Sequence, residues 1–134
     1  MKRLSVQSRK AQEFIDVSHE VAAVVRESGI ESGMCHLFVP HTTAGLTVNE
    51  NCDPDVVRDM LVTLDRLVPV HGDYRHAEGN SHSHIKASMM GSHLAVPIDN
   101  GQLVLGTWQG IWFTEFDGPR SRGLVVQVMG GGPG

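Results

Sequence analysis

From His93 onward the chain is written almost entirely in short apolar runs separated by turn formers. HLAVPI (93–98) and QLVLG (102–106) flank Asn100-Gly101, and GIWFTEF (110–116) and GLVVQVM (123–129) flank DGPRSR. Asn-Gly between two such runs is the strongest short-range hairpin signal, because both central residues of a type I′ turn need positive φ. The runs are too short for buried helices and too close together for parallel crossovers, so this third of the chain must form antiparallel β-structure. The spacing predicts two hairpin pairs here. GGGPG (130–134) reads as a frayed tail.

Upstream the periodicity alternates between strand and helix. LSVQS (4–8), MCHLFVP (34–40) and GLTVNEN (45–51) read as strands. In DVSHEVAAVVRESG, Val17, Val21, Val24 and Val25 share one helical stripe, with Asp16 or Ser18 as the cap and Gly29 at the C-terminal end. DPDVVRDMLVTLDRLV opens with Asp53 as N-cap and Pro54 in the first turn. Val56, Val57, Met60, Leu61, Leu64, Leu67 and Val68 supply its buried face. Residues 69–80 read as loop. SHSHIKASMMG predicts a short helix from Ser81 or Ser83 to Gly91, with Ile85 and Met89 inward. The order is that of an α+β chain with a mostly antiparallel sheet or sandwich, and at 134 residues it is expected to be one domain.

Charge narrows the function classes. The net charge is −4 and no basic run exists beyond Lys2-Arg3 and Arg9-Lys10, so a nucleic-acid partner is not expected. No apolar run approaches the ~20 residues of a membrane helix, and the N-terminus lacks the pattern of a secretory signal. Cys35 and Cys52 are the only cysteines and read as free thiols of a cytoplasmic protein.

The chemistry-bearing residues fall into four sets. The first is histidine. His41 sits in the turn after VP; His76, His82 and His84 lie in RHAEGNSHSHIKAS (75–88), while His19, His36 and His93 read as ordinary surface or strand residues. Two residues apart, His82 and His84 share a strand face but diverge by about 200° on a helix, so a helix there delivers only one of them to a common centre. The second set is acidic. Glu50 ends a strand, Asp53 is explained by capping, and Glu115 sits inside IWFTEF, where a carboxylate must be paired or at an open face. The third is GTWQG (106–110), whose flanking glycines allow tight backbone geometry around Trp108, a residue costly to expose that also reads as a core or interface tryptophan. The fourth is suited to an anion: Thr42, Thr43, Ser81 and Ser83 offer hydroxyls, and Arg75, Lys86, Arg120 and Arg122 offer charge. No GxxxxGK[ST] is present, which excludes a nucleotide P-loop.

Three stretches together resemble the YjbQ-like family: VPHTTAGLTVNENCDPDV (39–56), RHAEGNSHSHIKASMMG (75–91) and VPIDNGQLVLGTWQGIWFTEFDGPR (96–120). The resemblance covers about half of the chain. It implies an antiparallel β-sandwich of about seven strands with two main helices and one short one, assembled as a homotrimer. It also implies secondary thiamine-phosphate synthase activity, which joins a pyrimidine diphosphate to a thiazole phosphate and releases diphosphate.

On that reading His84, Glu50, Glu115 and Lys86 are catalytic. Thr42, Thr43, Arg75, Asn49, Trp108 and Gln109 bind substrate or phosphate. His41, His76 and His84 hold a divalent metal, zinc or magnesium, with His82 as the alternative ligand. Asp53, Glu78 and Thr107 match the same polar motif, and the partner is a small phosphorylated metabolite. Imidazoles favour zinc, whereas magnesium would draw on Glu50 and Glu115. A noncatalytic trimeric module holding a metal or phosphorylated ligand uses the same residues.

Overall fold

The computed structural model describes residues 1–131. The elements in order are β1 (Lys2–Gln7), β2 (Glu13–Asp16), α1 (Ser18–Ser28), β3 (Gly33–Phe38), β4 (Ala44–Glu50), α2 (Pro54–Leu67), α3 (Ser81–Met90), β5 (His93–Asp99), β6 (Gln102–Leu103), β7 (Gln109–Glu115) and β8 (Ser121–Gly130). They form two antiparallel sheets, a larger one of order β1-β8-β3-β5-β6 and a smaller one of order β2-β7-β4. The sandwich class expected from the sequence is the one observed. β2 is a strand the hydrophobic pattern did not announce, being only four residues long.

The helix signals work locally as their chemistry requires. Asp53 caps α2 by accepting a hydrogen bond from the Asp55 amide at 2.9 Å, with Pro54 opening the helix. Asp16 accepts from the Ser18 amide at the start of α1, and Gly29 ends it in the left-handed region at φ 69°. Asn100 (φ 51°) and Gly101 (φ 73°) both take positive φ, so β5 and β6 are joined by the type I′ turn that Asn-Gly predicts. β6 stops after two residues, shorter than QLVLG suggested. Beyond it the Gln109 side chain accepts from the Gly106 amide at 2.7 Å and bends the chain out of the ladder.

The main core lies between the sheets and under α1. Cys35 and Leu37 of β3, Val96 and Ile98 of β5 and Leu124 and Val126 of β8 meet Leu46 of β4 and Ile111 and Phe113 of β7, with Val21, Val24 and Val25 of α1 in the same cluster. Burial pushes the Cys35 thiol up to about 11, so this cysteine is an inert core group. A second cluster on the other face of the small sheet joins Phe14 and Phe116 to Leu64 of α2 and Ala87 of α3, with Trp112 packed against it. The parity of β7 thus splits its side chains. Ile111, Phe113 and Glu115 share one face, and Trp112 and Thr114 share the other.

Three expectations are corrected. β7 and β8 do not pair: β7 lies between β2 and β4, and β8 between β1 and β3. DGPRSR is therefore a crossing between sheets rather than a hairpin loop, and its ends are tied through side chains. α3 turns a polar face inward. His82, Ser83, Lys86 and Ala87 are buried, whereas Ile85 and Met89 are 41% and 50% exposed. Four hydrogen bonds from that buried face outweigh the two apolar side chains: Ser83 Oγ donates to the Phe116 carbonyl, and Lys86 bonds to Asp65, Gln12 and His82. α3 also needs the small residue beneath it, since a Cβ on Gly45 would lie 2.7 Å from the Gly91 carbonyl oxygen. Finally, Leu67 points outward at 67% exposure, so the buried face of α2 is narrower than its stripe. At the C-terminus Gly130 still belongs to β8, and the Gly131 amide bonds to the Ser32 carbonyl. The rest of the expected tail lies outside the described residues.

Phe113 has no exposed surface and joins the sheets. Phe113→Ala should cost about 3–5 kcal/mol of unfolding free energy in equilibrium urea titration. A loss below about 1 kcal/mol would mean that the inter-sheet core is not the main source of stability.

Candidate functional site

The site is built on a buried ion pair. Strand parity puts Glu115 on the inner face of β7, and Arg122 on the same face of β8 as Leu124 and Val126. The two meet between the sheets. Arg122 Nε donates to both Glu115 oxygens at 2.9 and 3.1 Å, and Nη2 donates to Oε2. The Ser8 hydroxyl donates to Glu115 Oε1 at 2.6 Å and the Asp117 amide to Oε2 at 3.1 Å. Arg122 Nη2 also donates to Thr43 Oγ1 at 2.8 Å. Burial by itself would raise the Glu115 carboxyl, but these hydrogen bonds outweigh it and hold the group below its ordinary range. Arg122 Nη1 makes no hydrogen bond among the described residues, and Arg122 lines the cavity above the pair.

That cavity, of about 460 Å³, opens between the β3–β4 turn, the loop before α3 and the β7–β8 crossing. His41 is oriented by the backbone, with Nε2 accepting from the Gly123 amide at 2.9 Å. An accepting Nε2 leaves the proton on Nδ1. Burial and the neighbouring Arg122 guanidinium lower the His41 pKa, which keeps the ring neutral and its Nδ1–H a donor. His84 enters from α3 and His76 from the preceding loop, their rings perpendicular with centroids 5.3 Å apart. Thr42 and Thr43 line it too, as does Glu78, whose carboxylate lies 4.0 Å from His76 Nε2, and a second hollow of about 500 Å³ continues past His41 and His84 toward Ser88. On the acidic side Asp117 accepts from Asn80 Nδ2 at 2.8 Å and from Arg120 at 3.1 Å, which neutralises it. Asn80 Oδ1 is buried without a partner among the described residues.

His41, His76 and His84 therefore do share one cavity, and His82 does not join them. On α3 His82 turns inward, where Lys86 Nζ lies 3.0 Å from its Nδ1. Lys86 is fully buried and also donates to Asp65 at 2.5 Å and Gln12 at 3.1 Å. It braces α3 against α2 from the face opposite His84. Arg75 opens onto an adjoining cavity with His76 and His84.

Asn49, Glu50, Trp108 and Gln109 lie at the far end of the small sheet, where Asn49 faces Gly110 and Glu50 faces Gln109. Seven residues of β4 separate them from the histidine cavity, about 20 Å at the usual strand rise. There Glu50 accepts from the Asp53 amide, and Trp108 stands 61% exposed. The contributions of Ser8, Asn80 and Asp117 were not signalled by any motif. The inward register of Arg122, two residues before Leu124 in an alternating strand, was the one available signal for its partnership with Glu115.

The donor arrangement does not fit a three-histidine zinc centre. Such a centre needs three nitrogen lone pairs converging at about 2.0–2.1 Å. His41 has committed its accepting nitrogen to Gly123, and among the described residues no group of three or more His, Cys, Asp or Glu side chains is arranged to hold an ion. Glu115, beneath Arg122, is saturated by Arg122, Ser8 and Asp117. What the arrangement brings together is N–H and O–H donors around one guanidinium edge, with the Glu78 and Asp117 carboxylates on the same lining.

Two predictions follow from the electrostatics. Glu115→Gln should destabilise the chain by about 3–5 kcal/mol, because it strands a buried arginine charge; a change under about 1 kcal/mol in chemical unfolding would refute that role. Acidification should destabilise the protein in two stages. His41 and His82 are both held neutral, His82 by burial and the Lys86 charge, so the unfolded chain takes up protons first as pH falls below the ordinary 6.5. The lowered carboxyl of Glu115 contributes stability above its ordinary 4.5 that is lost as pH falls through its native value. A melting temperature that does not fall between about pH 7.5 and pH 5 would contradict the first stage.

Comparison with known proteins covers the whole of this architecture. The family model described as UPF0047 protein YjbQ-like matches residues 2–131. The UPF0047 protein YugU of Bacillus subtilis is 49% identical over 97% of this chain and 99% of its own length. The UPF0047 protein MJ1081 of Methanocaldococcus jannaschii is 41% identical over 96% of this chain and 93% of its own. Among solved structures, an uncharacterised conserved protein of the YjbQ/UPF0047 family from Clostridium acetobutylicum superposes with a TM-score of 0.95 at 55% identity, covering 96% of this chain and all of that one. The conserved hypothetical protein TT1486 from Thermus thermophilus superposes with a TM-score of 0.90 at 42% identity, covering 96% of this chain and all of that one. With a family model spanning nearly every residue and relatives matched end to end, the chain belongs to the UPF0047, YjbQ-like family.

Proposed function

We propose that the His41–His84 cavity binds the phosphate or diphosphate of a small metabolite, and that the chain acts as a thiamine-phosphate synthase-like transferase on it. The carrying observation is the free Nη1 edge of Arg122 beside the neutral, donating imidazole of His41 in one cavity. In such a reaction the carbon–oxygen bond to diphosphate breaks and its electron pair leaves on the diphosphate. A thiazole nitrogen lone pair forms the new bond to that carbon. Charge develops on the leaving oxygen, so fixed donors aimed there stabilise the transition state more than the ground state. Arg122, His41 Nδ1–H and the Thr42 hydroxyl serve that purpose. His84 donates a hydrogen bond to the leaving group as it separates. Glu115 works through Arg122, which it aims, and Lys86 works through α3, which it braces. Magnesium bound to the diphosphate oxygens would supply further charge neutralisation. Assembly as a homotrimer and residence in the cytoplasm belong to the same proposal.

The second reading, a noncatalytic holder of a phosphorylated ligand, draws on one specific feature. Glu115 has no free oxygen lone pair facing the cavity to act as a base, and Glu50 lies at the other end of the sheet.

Turnover separates the two. His84→Ala should abolish coupling of the pyrimidine diphosphate to the thiazole phosphate while leaving the oligomeric mass unchanged in sedimentation. Wild-type protein that binds inorganic diphosphate without any turnover supports the holder. Full activity in His84→Ala removes His84 from the mechanism.

A further inference from the structure

The His76–His84 pair is a wall shared by two cavities. One side is the anion cavity of Arg122 and His41. On the other is a hollow of about 470 Å³ formed by Asp73, Tyr74, Arg75, Ser81 and Ile85 together with the same two histidines. Its contents differ in kind from those of the first. Tyr74 has its hydroxyl tied back to the Pro69 carbonyl at 2.6 Å, which fixes the ring in the loop. Ile85, the apolar residue that α3 turns outward, is 41% exposed. Arg75 makes no hydrogen bond or ion pair among the described residues, and neither ring nitrogen of His84 makes a hydrogen bond there.

The exposed Arg75 guanidinium, with no partner among the described residues, stands on one lining with an isoleucine, and the two match a ligand with one anionic group and one flat apolar body. Asp73 on the same lining limits the negative charge such a ligand can carry, and accepts an N–H or O–H from it. The volume suits a single ring with one phosphate.

We propose that this hollow is a second substrate subsite, taking a monophosphorylated ring compound, and that the His76–His84 pair is the junction at which two bound molecules meet. The inference rests on the phosphate reading of the first cavity and adds that the two ligands are held at once. A two-substrate transfer requires reactants bound side by side within contact distance of shared groups, and shared walls of this kind supply that arrangement.

Phenyl phosphate and inorganic diphosphate are the probes. Calorimetric titration of phenyl phosphate into diphosphate-saturated protein should show one equivalent bound per chain. Arg75→Ala should weaken that binding by about tenfold, the loss of one charge-assisted contact, and leave the diphosphate titration unmoved. Because Arg75 is exposed, the variant is expected to fold. In heteronuclear spectra the Ile85 methyl should shift with phenyl phosphate alone, and the His84 ring with either probe. Competitive displacement of diphosphate by phenyl phosphate would overturn the second subsite, as would an Arg75→Ala variant that binds phenyl phosphate as tightly as wild type. If diphosphate does not bind at all, the phosphate reading of the first cavity falls. Phenyl phosphate titrated alone against wild type and Arg75→Ala then still decides the second: a tenfold loss in the variant supports it, and no loss overturns it.

Discussion

The Glu115–Arg122 pair is the contact on which the geometry of the molecule turns. Each charge sits at an inward position of a different sheet, at the end where the sandwich opens. Taken out of water alone, either would be strongly unfavourable; together they are tolerable only when the remaining lone pairs and protons are satisfied. Ser8 from the end of β1, Thr43 from the β3–β4 turn and the Asp117 amide from the β7–β8 crossing supply those bonds. Segments more than a hundred residues apart in sequence are thereby held to one point. The same demand leaves one guanidinium edge at the cavity and sets a positive charge beside His41, which adds to the effect of burial in lowering the pKa of that imidazole. Structural and functional electrostatics here are one network.

A second buried charge does comparable work for the histidines. Lys86 is enclosed by Asp65 of α2, Gln12 ahead of β2 and His82 of its own helix. Burial would raise Asp65, but the Lys86 and Gln12 hydrogen bonds hold its carboxyl below the ordinary range. Anchoring Lys86 and His82 inward rotates α3 so that His84, two residues along, faces the opposite side and meets His76. The apolar Ile85 is then left at the surface, against the usual preference, and becomes part of a hollow rather than of the core. A helix of low amphipathicity has no strong apolar stripe to oppose this, so hydrogen bonding decides its orientation.

Much of the fold was legible because its signals are local. Asn100-Gly101 announces its turn through two positive φ values, Asp53-Pro54 announces a helix start, and period-2 alternation announces β3, β4, β5, β7 and β8. The pairing of those strands was not equally legible. GIWFTEF and GLVVQVM look like consecutive arms of a hairpin, yet they belong to different sheets, because pairing is chosen by which faces bury together and not by adjacency. Within the site, helix geometry indicated that only one of His82 and His84 could reach a common centre, while the set of His41, His76 and His84 was what the family resemblance implied. Asn49, Glu50, Trp108 and Gln109 carry the same kind of polar signal in sequence, but they lie at the other end of the same strands.

The sequence by itself determined the element types, the antiparallel class and which residues are chemically capable, since capping, turn formation and hydrophobic period act over a few residues. Only the tertiary structure decided which capable residues are free to act. Lys86 and His82 are spent on bracing α3, and Glu115 on neutralising Arg122. Arg122, His41, His84 and Arg75 keep donors facing open cavities. The reason is physical: a buried charge must find its partner across the fold, and the groups left over after that matching are the ones a ligand can meet.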